Sequence, residues 1–569
     1  MKDIVTNWNK LLGRSYSAVN RSDCPTPKSP RNVALNIVHG RFKRILTLAF
    51  FGLVTFGSGI LILLVQPYDL LFKFKNVLSD GGEIFELWRK PPVDLYLRVF
   101  LFNVTNRDAF LNGEEKLKVQ EVGPYVYREI MSHEEVRFNT NGTMSTIPQH
   151  PLVWVPEMSE GNREDDRLVL PNIALLSIAQ VVSTESFVTR LGLNIVIRQT
   201  DTQPLVEMTA REFMFGYEST IMSLGYQFLP SWISFEKLGL IDRMYDFEGD
   251  YETIFTGEGD TINSGLLDTY CGSTKIPQWE GHCGNIHKAA DGTKFRGNIK
   301  ENDTLLFFRK SMCRAYNLVP VNKTTIAGLD GNVYHFETNS HDNGLNRSEN
   351  SCFCKRTPCM PAGLLDVHGC YYGFPIATSF PHFLDADPKV RESVEGTNPD
   401  HDKHHTYFVI EPKSGLPLEI AARFQINMVF GDLESMAHVE QFSNMILPLL
   451  WTENRLYGLP DTLQSRFRLY LNVAPVVEVA TMYVSFVLGT LLLSFACWQY
   501  TKKIRTMTRP KTTWIDEYVE EDVIGNGRVY NALTRASLSD KELKTYYGSL
   551  ITPLNQQIDG DHKGDEEDV

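Results

Sequence analysis

Three signatures of catalysis are missing from this 569-residue chain. It has no Gly-x-Ser-x-Gly nucleophile elbow, no His-Glu-x-x-His helix and no Gly-rich phosphate loop. Serine hydrolysis, zinc proteolysis and nucleotide chemistry therefore lack their usual carriers. The sequence is read as no enzyme, with no cofactor and no resident metal. Positive charge is short as well: 56 Lys and Arg stand against 69 Asp and Glu, a net charge of −13. Such a balance argues against nucleic acid as a partner, because phosphate backbones are held by Lys and Arg. Cysteine is scarce, nine in all, yet four fall with His368 inside Ser351–Cys370, SCFCKRTPCMPAGLLDVHGC. That cluster fits a zinc site, a redox site or a disulfide knot. Only the compartment separates these readings. There is no internal repeat.

Long apolar runs are absent except for two. Ile45–Val65 and Val479–Tyr500 carry no charge, and each is long enough to cross a hydrocarbon core of about 30 Å. Arg41, Lys43 and Arg44 precede the first. Lys502, Lys503, Arg505, Arg509 and Lys511 follow the second. Basic residues mark the cytosolic side, so both termini are predicted cytosolic. The expected layout is a cytosolic tail 1–44, a membrane helix 45–65, an ectodomain 66–478, a second membrane helix 479–500 and a cytosolic tail 501–569. The first span starts too far in, and lacks a small-residue cleavage site, for a cleaved signal peptide. Five sequons, at Asn103, Asn141, Asn302, Asn322 and Asn346, fit a secretory lumen and are expected to carry glycans. In that lumen disulfides persist, and zinc at the cysteine cluster recedes. Seven cysteines lie in the ectodomain, and their pairing is not readable from spacing.

Along the ectodomain, Val93–Thr105 reads as a strand apolar on both faces. Val136–Ile147 reads as a hairpin turning at Asn141-Gly142. The period turns helical over Pro171–Gly192, with Pro171 suited to a helix start. Thr209–Leu224 is read as a second helix ending at Gly225, in a region rich in Met and Phe that includes Met222 and Leu224. Tyr251–Asp402 reads as loop-rich and disulfide-supported. Thr406–Phe430 reads as strand, turn at Lys413-Ser-Gly, strand. Asp461–Val479 reads as a helix leading into the second span.

His401, His404 and His405 have the spacing of a metal set if helical, but the flanking residues favour a loop. A pH-sensitive contact is the preferred role there. Cys497, near the cytosolic end of the second span, and Cys24 are palmitoylation candidates. The C-terminal tail carries Tyr530–Leu533 and Tyr547–Leu550, tetrads shaped for a clathrin adaptor. It ends in Glu-Glu-Asp-Val, a candidate PDZ ligand.

Five motifs carry a family resemblance: Gly123–Glu129 (GPYVYRE), Arg211–Tyr217 (REFMFGY), Phe380–Pro388 (FPHFLDADP), Asn398-Pro399 through His404 to Ile410-Glu-Pro412, and Ile446–Trp451 (ILPLLW). With the two spans and the cysteine cluster, the chain from Arg41 to Lys503 resembles the class B scavenger receptors. These include fatty acid translocase, the high-density-lipoprotein receptor and a lysosomal integral membrane protein. The resemblance implies an α+β ectodomain: a twisted antiparallel β-barrel, an apolar tunnel and a membrane-distal helical bundle at about residues 170–240. It implies that lipids, lipoproteins or lipid-carrier proteins meet this apex, and that lipid descends to the membrane without covalent chemistry. Phe187, Arg190, Arg198, Phe213 and Phe215 are the apex residues so indicated. Within the Cys-rich region 271–370 it implies the pairs Cys283–Cys352, Cys313–Cys370 and Cys354–Cys359, leaving Cys271 alone. The implied location is the plasma membrane or the endosome-lysosome membrane.

The chain departs from its relatives in one respect. Gly192–Met208 holds a single cation, Arg198, against Asp201 and Glu207. An apex that grips by apolar contact is therefore expected. Two other classes share the two-span layout. An ectonucleotidase needs paired phosphate loops that are missing here. A ligand-gated channel needs a polar pore stripe, and the second span offers only Thr481, Ser485, Thr490 and Ser494.

Overall fold

The computed structural model of the chain describes residues 30–219, 223 and 237–508, with side chains from Phe42 onward. Two helices, Pro30–Val65 and Ala474–Thr508, are long and apolar enough to cross a membrane. They pack closely where side chains are smallest. A Cβ on Gly489 would stand 2.7 Å from the backbone nitrogen of Phe56, and one on Gly52 would stand 2.9 Å from Leu493. Small residues of this kind let membrane helices approach. The Phe56 and Phe486 rings meet edge-on, with centroids 5.3 Å apart. Just outside the apolar runs, the Tyr68 N–H donates to Glu478 Oε2 at 2.6 Å. The two helices thus reach the ectodomain side by side.

The body is a twelve-stranded, almost wholly antiparallel sheet. Its main path runs Leu305–Arg309, Arg314–Ile326, Leu329–Phe336, Tyr407–Ile410, Pro417–Val429, Ile446–Leu456, Leu95–Val104 and Leu117–Glu129. Short strands extend its edges. A separate four-stranded sheet orders Leu267–Tyr270, Glu252–Phe255, Thr143–Gln149 and Ser132–Phe138. Pro417–Val429 and Ile446–Leu456 are buried on both faces, so the polar residues they carry must be matched inside the protein. Glu453 is the clearest case. Its carboxylate takes Arg98 Nη1 at 2.6 Å from one neighbouring strand, and Arg423 Nε at 2.8 Å and Nη2 at 2.6 Å from the other.

The strand Leu95–Val104 sets the long direction. Leu95 pairs with Leu456, four residues before the helix Asp461–Arg468 that runs into the second span. At the other end, Asn103 Oδ1 accepts from the Val169 N–H at 2.9 Å, and Val169 leads into the helices of the cap. Eight residues at roughly 3.3 Å each separate the two ends by about 26 Å.

The cap departs from the expected boundaries. Pro171 closes the strand Arg167–Pro171, and Asn172 caps the helix Ile173–Ser183 by accepting from the Leu175 N–H. Ser186 then starts a second helix, Phe187–Thr200. The helix read over Thr209–Leu224 is interrupted: Ala210–Phe215 is one short helix, and Ser223 is helical again. Gly216, at φ 114°, stops the short helix, and Tyr217–Glu218 pairs with Lys237–Leu238 instead. Gly239 permits that turn-back, because a Cβ there would stand 2.4 Å from the Phe215 carbonyl carbon. Met222 and Leu224 lie outside the described residues. Tyr251–Asp402 is not only loops, since six strands of the twelve-stranded sheet fall inside it. His401–His404 is one helical turn and not a loop, because Asp400 caps it through the N–H groups of Asp402 and Lys403.

Removing one partner of a buried ion pair leaves its charge stranded. Glu453→Ala is expected to cost about 3–5 kcal/mol, read as a lowered midpoint in thermal unfolding of the full chain. Arg98→Ala should cost less, since Arg98 is partly exposed and Arg423 remains.

Candidate functional site

An apolar cavity of about 130 Å³ lies against the sheet. Its wall combines the helix Glu83–Arg89 (Ile84, Leu87, Trp88) with sheet residues Leu95, Ile420 and Leu456, and with Leu463 and Phe467 from the helix before the second span. A second apolar compartment, of about 270 Å³, sits between Tyr68, Leu71 and Phe72 after the first span and Leu469, Tyr470 and Ala474 at the root of the second. Six residues line both: Asn76, Ile84, Leu87, Ser414, Leu463 and Phe467. The compartments are therefore adjacent, with these six residues between the sheet side and the span roots.

A polar knot stands on the cavity wall. Arg309 and Asn454 line the cavity. Arg309 Nη2 donates to both oxygens of the buried Glu129, at 2.7 and 2.8 Å. His150 Nδ1 donates to Glu129 Oε1 at 2.7 Å. The Tyr245 hydroxyl lies 3.0 Å from Glu129 Oε2 and 2.9 Å from Asn454 Oδ1. Burial alone would raise the Glu129 carboxyl. The Arg309 charge and the His150 hydrogen bond outweigh burial and bring it to about 2. Lys294 lies on the same wall, and its Nζ donates to the Ser264 carbonyl at 2.6 Å. Burial brings its ammonium down to about 7.

Of the expected apex residues, Phe187 is 69% exposed and continues into Val188 at 76%, Leu191 at 46% and Ile195 at 55%. These positions form one apolar stripe on Phe187–Thr200. Arg198 is exposed and Arg190 half-buried. Phe213 is fully buried, which corrects its expected place at the surface: it faces inward from a capped helical turn. Phe215 is half-buried against the Tyr127 ring, 5.1 Å away, with the Arg211 guanidinium 5.8 Å from its own ring.

Disulfides join Cys283 to Cys352, Cys313 to Cys370 and Cys354 to Cys359. Cys271 is free and exposed, its Sγ 3.7 Å from Asp250 Oδ1, and burial of part of the thiol raises its pKa. Cys497 is also free and exposed, on the second long helix. Asn141, Asn302, Asn322 and Asn346 are exposed. Asn103 is half-buried in its strand, with its side-chain oxygen engaged by Val169. Cys24, Tyr530, Leu533, Tyr547, Leu550 and the C-terminal Val569 lie outside the described residues.

The histidine cluster does not suit an endosomal switch. Burial first, and His382 second, push His404 down to about 4. Burial and His335 do the same to His405. Both therefore stay neutral at pH 5.

Residues 49–500 match the profile of the CD36 family. The chain belongs to that family. Among its CD36-family relatives, "Scavenger receptor class B member 1" of Bos taurus is 28% identical over 449 residues, covering 78% of this chain and 87% of that protein. "Lysosome membrane protein 2" of Homo sapiens is 29% identical over 419 residues, 72% of this chain and 85% of that one. "Protein peste" of Drosophila melanogaster is 27% identical over 436 residues, 75% and 76%. This CD36-family chain is a class B scavenger receptor by similarity and not an enzyme.

Sequence reading missed the Glu129–Arg309 pair and the helix Glu83–Arg89. Glu129 was visible as the last residue of GPYVYRE, but its partner lies 180 residues away.

A carboxyl held near 2 against an ordinary value of 4.5 contributes stability above pH 4.5 and loses it as pH falls towards 2. Glu129→Gln should therefore destabilise the protein equally at pH 7 and pH 5. The difference from wild type should shrink only below about pH 4, as measured by denaturant unfolding across pH.

Proposed function

We propose that this receptor takes lipid from a carrier at its helical cap and passes it through the apolar cavity into the bilayer. The observation that supports this reading is the adjacency of the two apolar compartments, which share six lining residues between the sheet and the roots of both spans. A lipid chain entering such a space gains about 0.8 kcal/mol per buried CH₂. The bilayer offers the same on exit, so passage is nearly isoenergetic and the lipid gradient sets its direction. No nucleotide and no reacting residue are required.

The exposed stripe of Phe187, Val188, Leu191 and Ile195 supports a carrier held by apolar contact, in keeping with the scarcity of cations there. The helix Pro67–Asn76 exposes Leu70, Leu71 and Phe74 directly after the first span, beside Lys73 and Lys75. That composition suits the membrane interface, where a lipid leaving the second compartment would enter the bilayer.

The rest of the reading follows from this layout. Both termini are cytosolic, with 66–478 outside the cytosol. Asn141, Asn302, Asn322 and Asn346 carry glycans, while Asn103 is held too tightly in its strand to be an efficient acceptor. The three disulfides brace the loop-rich side, the two long-range ones by about 2–5 kcal/mol each. Cys24 and Cys497 are acylated. Tyr530–Leu533 and Tyr547–Leu550 engage a clathrin adaptor, and the terminal Val569 a PDZ domain, so that the receptor cycles between plasma membrane and endosome-lysosome.

The full chain reconstituted in liposomes, offered labelled sterol ester in lipid particles, tests both steps. Ile84→Trp with Leu87→Trp fills the shared lining and should cut transfer about tenfold while particle binding stays within about twofold. Phe187→Asp with Ile195→Asp should lower particle binding itself, and Arg198→Glu should not. Transfer indifferent to the tryptophans contradicts the conduit. Binding abolished by Arg198→Glu contradicts the apolar grip.

A further inference from the structure

Three side chains from separate segments converge beside the cavity: His133, Glu252 and Asp291. His133 and Glu252 stand on the small sheet, with Thr143–Gln149 between their strands. His133 pairs with Pro148 and Glu252 with Thr146, so the two share one face. Asp291 comes from the loop that also supplies Gly292, Thr293 and Lys294 to the cavity wall. One ligand atom from each of the three lies within 4.8 Å of the others.

The hydrogen bonds around the cluster leave lone pairs pointing inward. His133 Nδ1 lies 3.1 Å from the Trp88 carbonyl, which can only accept, so the Nδ1 position carries the proton. The Trp88 ring stacks on the imidazole at 3.8 Å and fixes its plane. Nε2 faces Asp291 Oδ2 at 3.7 Å. Asp291 Oδ1 is already occupied, accepting from the Thr293 N–H at 2.8 Å and from the Thr293 hydroxyl. Glu252 is 95% buried, by its 5% exposure, and its Oε2 has no partner among the described residues. Acceptors facing one another in a dry site repel unless a proton or a cation lies between them.

We propose that His133, Glu252 and Asp291 bind a divalent transition-metal ion, zinc by preference, that clamps the small sheet to the cavity wall. One imidazole and two carboxylates are a recognised zinc donor set. A histidine whose other ring nitrogen donates to a backbone carbonyl is the usual supporting arrangement. Bonds of about 2.0 Å put tetrahedral ligands roughly 3.3 Å apart, so the 3.7 Å pair is nearly in place and small side-chain rotations complete the set. The two other candidate groupings fail the same test. Cys283 and Cys352 are bonded to each other. In the Glu121–His382–His404 group, each histidine accepts a backbone N–H at Nδ1, so the proton sits on Nε2; His382 already donates it to Glu121.

The test uses the full chain in detergent, in a Cys271→Ser background so that the exposed thiol holds no metal. After equilibration with zinc and dialysis, elemental analysis should find one zinc per chain. Asp291→Asn and Glu252→Gln should lose it. A chelator should lower the unfolding midpoint of the parent by several degrees and leave the variants unmoved. A parent that retains no zinc, and whose midpoint ignores both zinc and chelator, overturns the proposal and assigns the site to protons. If the variants fail to fold, zinc X-ray absorption of the parent decides: nitrogen and oxygen ligands with one imidazole support the site, and sulfur ligands overturn it.

Discussion

An apolar cavity inside a protein of net charge −13 survives only if the charges in its wall are matched within the wall. Two buried carboxylates near that wall, neither of them lining it, show the matching. Glu453 is held between guanidiniums on the strands to either side, and Glu129 is held by Arg309, His150 and Tyr245. Each ties segments far apart in sequence, and each would draw water into the interior if unpaired. The sheet can therefore be wide and bear polar residues at its centre while one side faces an apolar cavity. Because the Glu129 carboxyl is held near 2, the matching persists at the acidity of an endosome.

The two ends of the cavity are built differently, and the chain's tethering explains why. At the span roots, Gly52 and Gly489 let the helices touch, and the Tyr68–Glu478 hydrogen bond closes the ectodomain over them. That proximity brings the first residues after one span and the last before the other into a single apolar compartment. At the far end of Leu95–Val104 the helices bury most of their apolar residues, yet leave one stripe on Phe187–Thr200 uncovered. A large apolar patch left in water marks a place where something docks.

Local patterns made much of this visible in advance. The two spans follow from length and lack of charge, and the hairpin at Asn141-Gly142 and the strand-turn-strand at Lys413-Ser-Gly from turn chemistry. The failures share a cause. The stretch around Leu305–Phe336 looked like loops because its strands sit among Gly, Asn and Asp, and their pairing is supplied by distant partners. The helix over Thr209–Leu224 was read as unbroken because its apolar residues hid Gly216, whose positive φ interrupts it before Ser223 is helical again. Phe213 was expected outside because the resemblance placed it at the apex, and a family pattern does not say which apolar residues of the cap face the core. The cavity itself left no local trace: Ile84, Leu87, Ile420 and Leu463 are ordinary apolar residues until the fold leaves a gap between them.

The central claim is that lipid occupies this cavity on its way between carrier and bilayer. A photoactivatable sterol or fatty acid, delivered in lipid particles to the reconstituted receptor and mapped by peptide mass spectrometry, tests it most directly. The account predicts adducts within residues 84–95, 416–422 and 463–474. Adducts confined to the outer surface and the bilayer-facing sides of the two spans would contradict it.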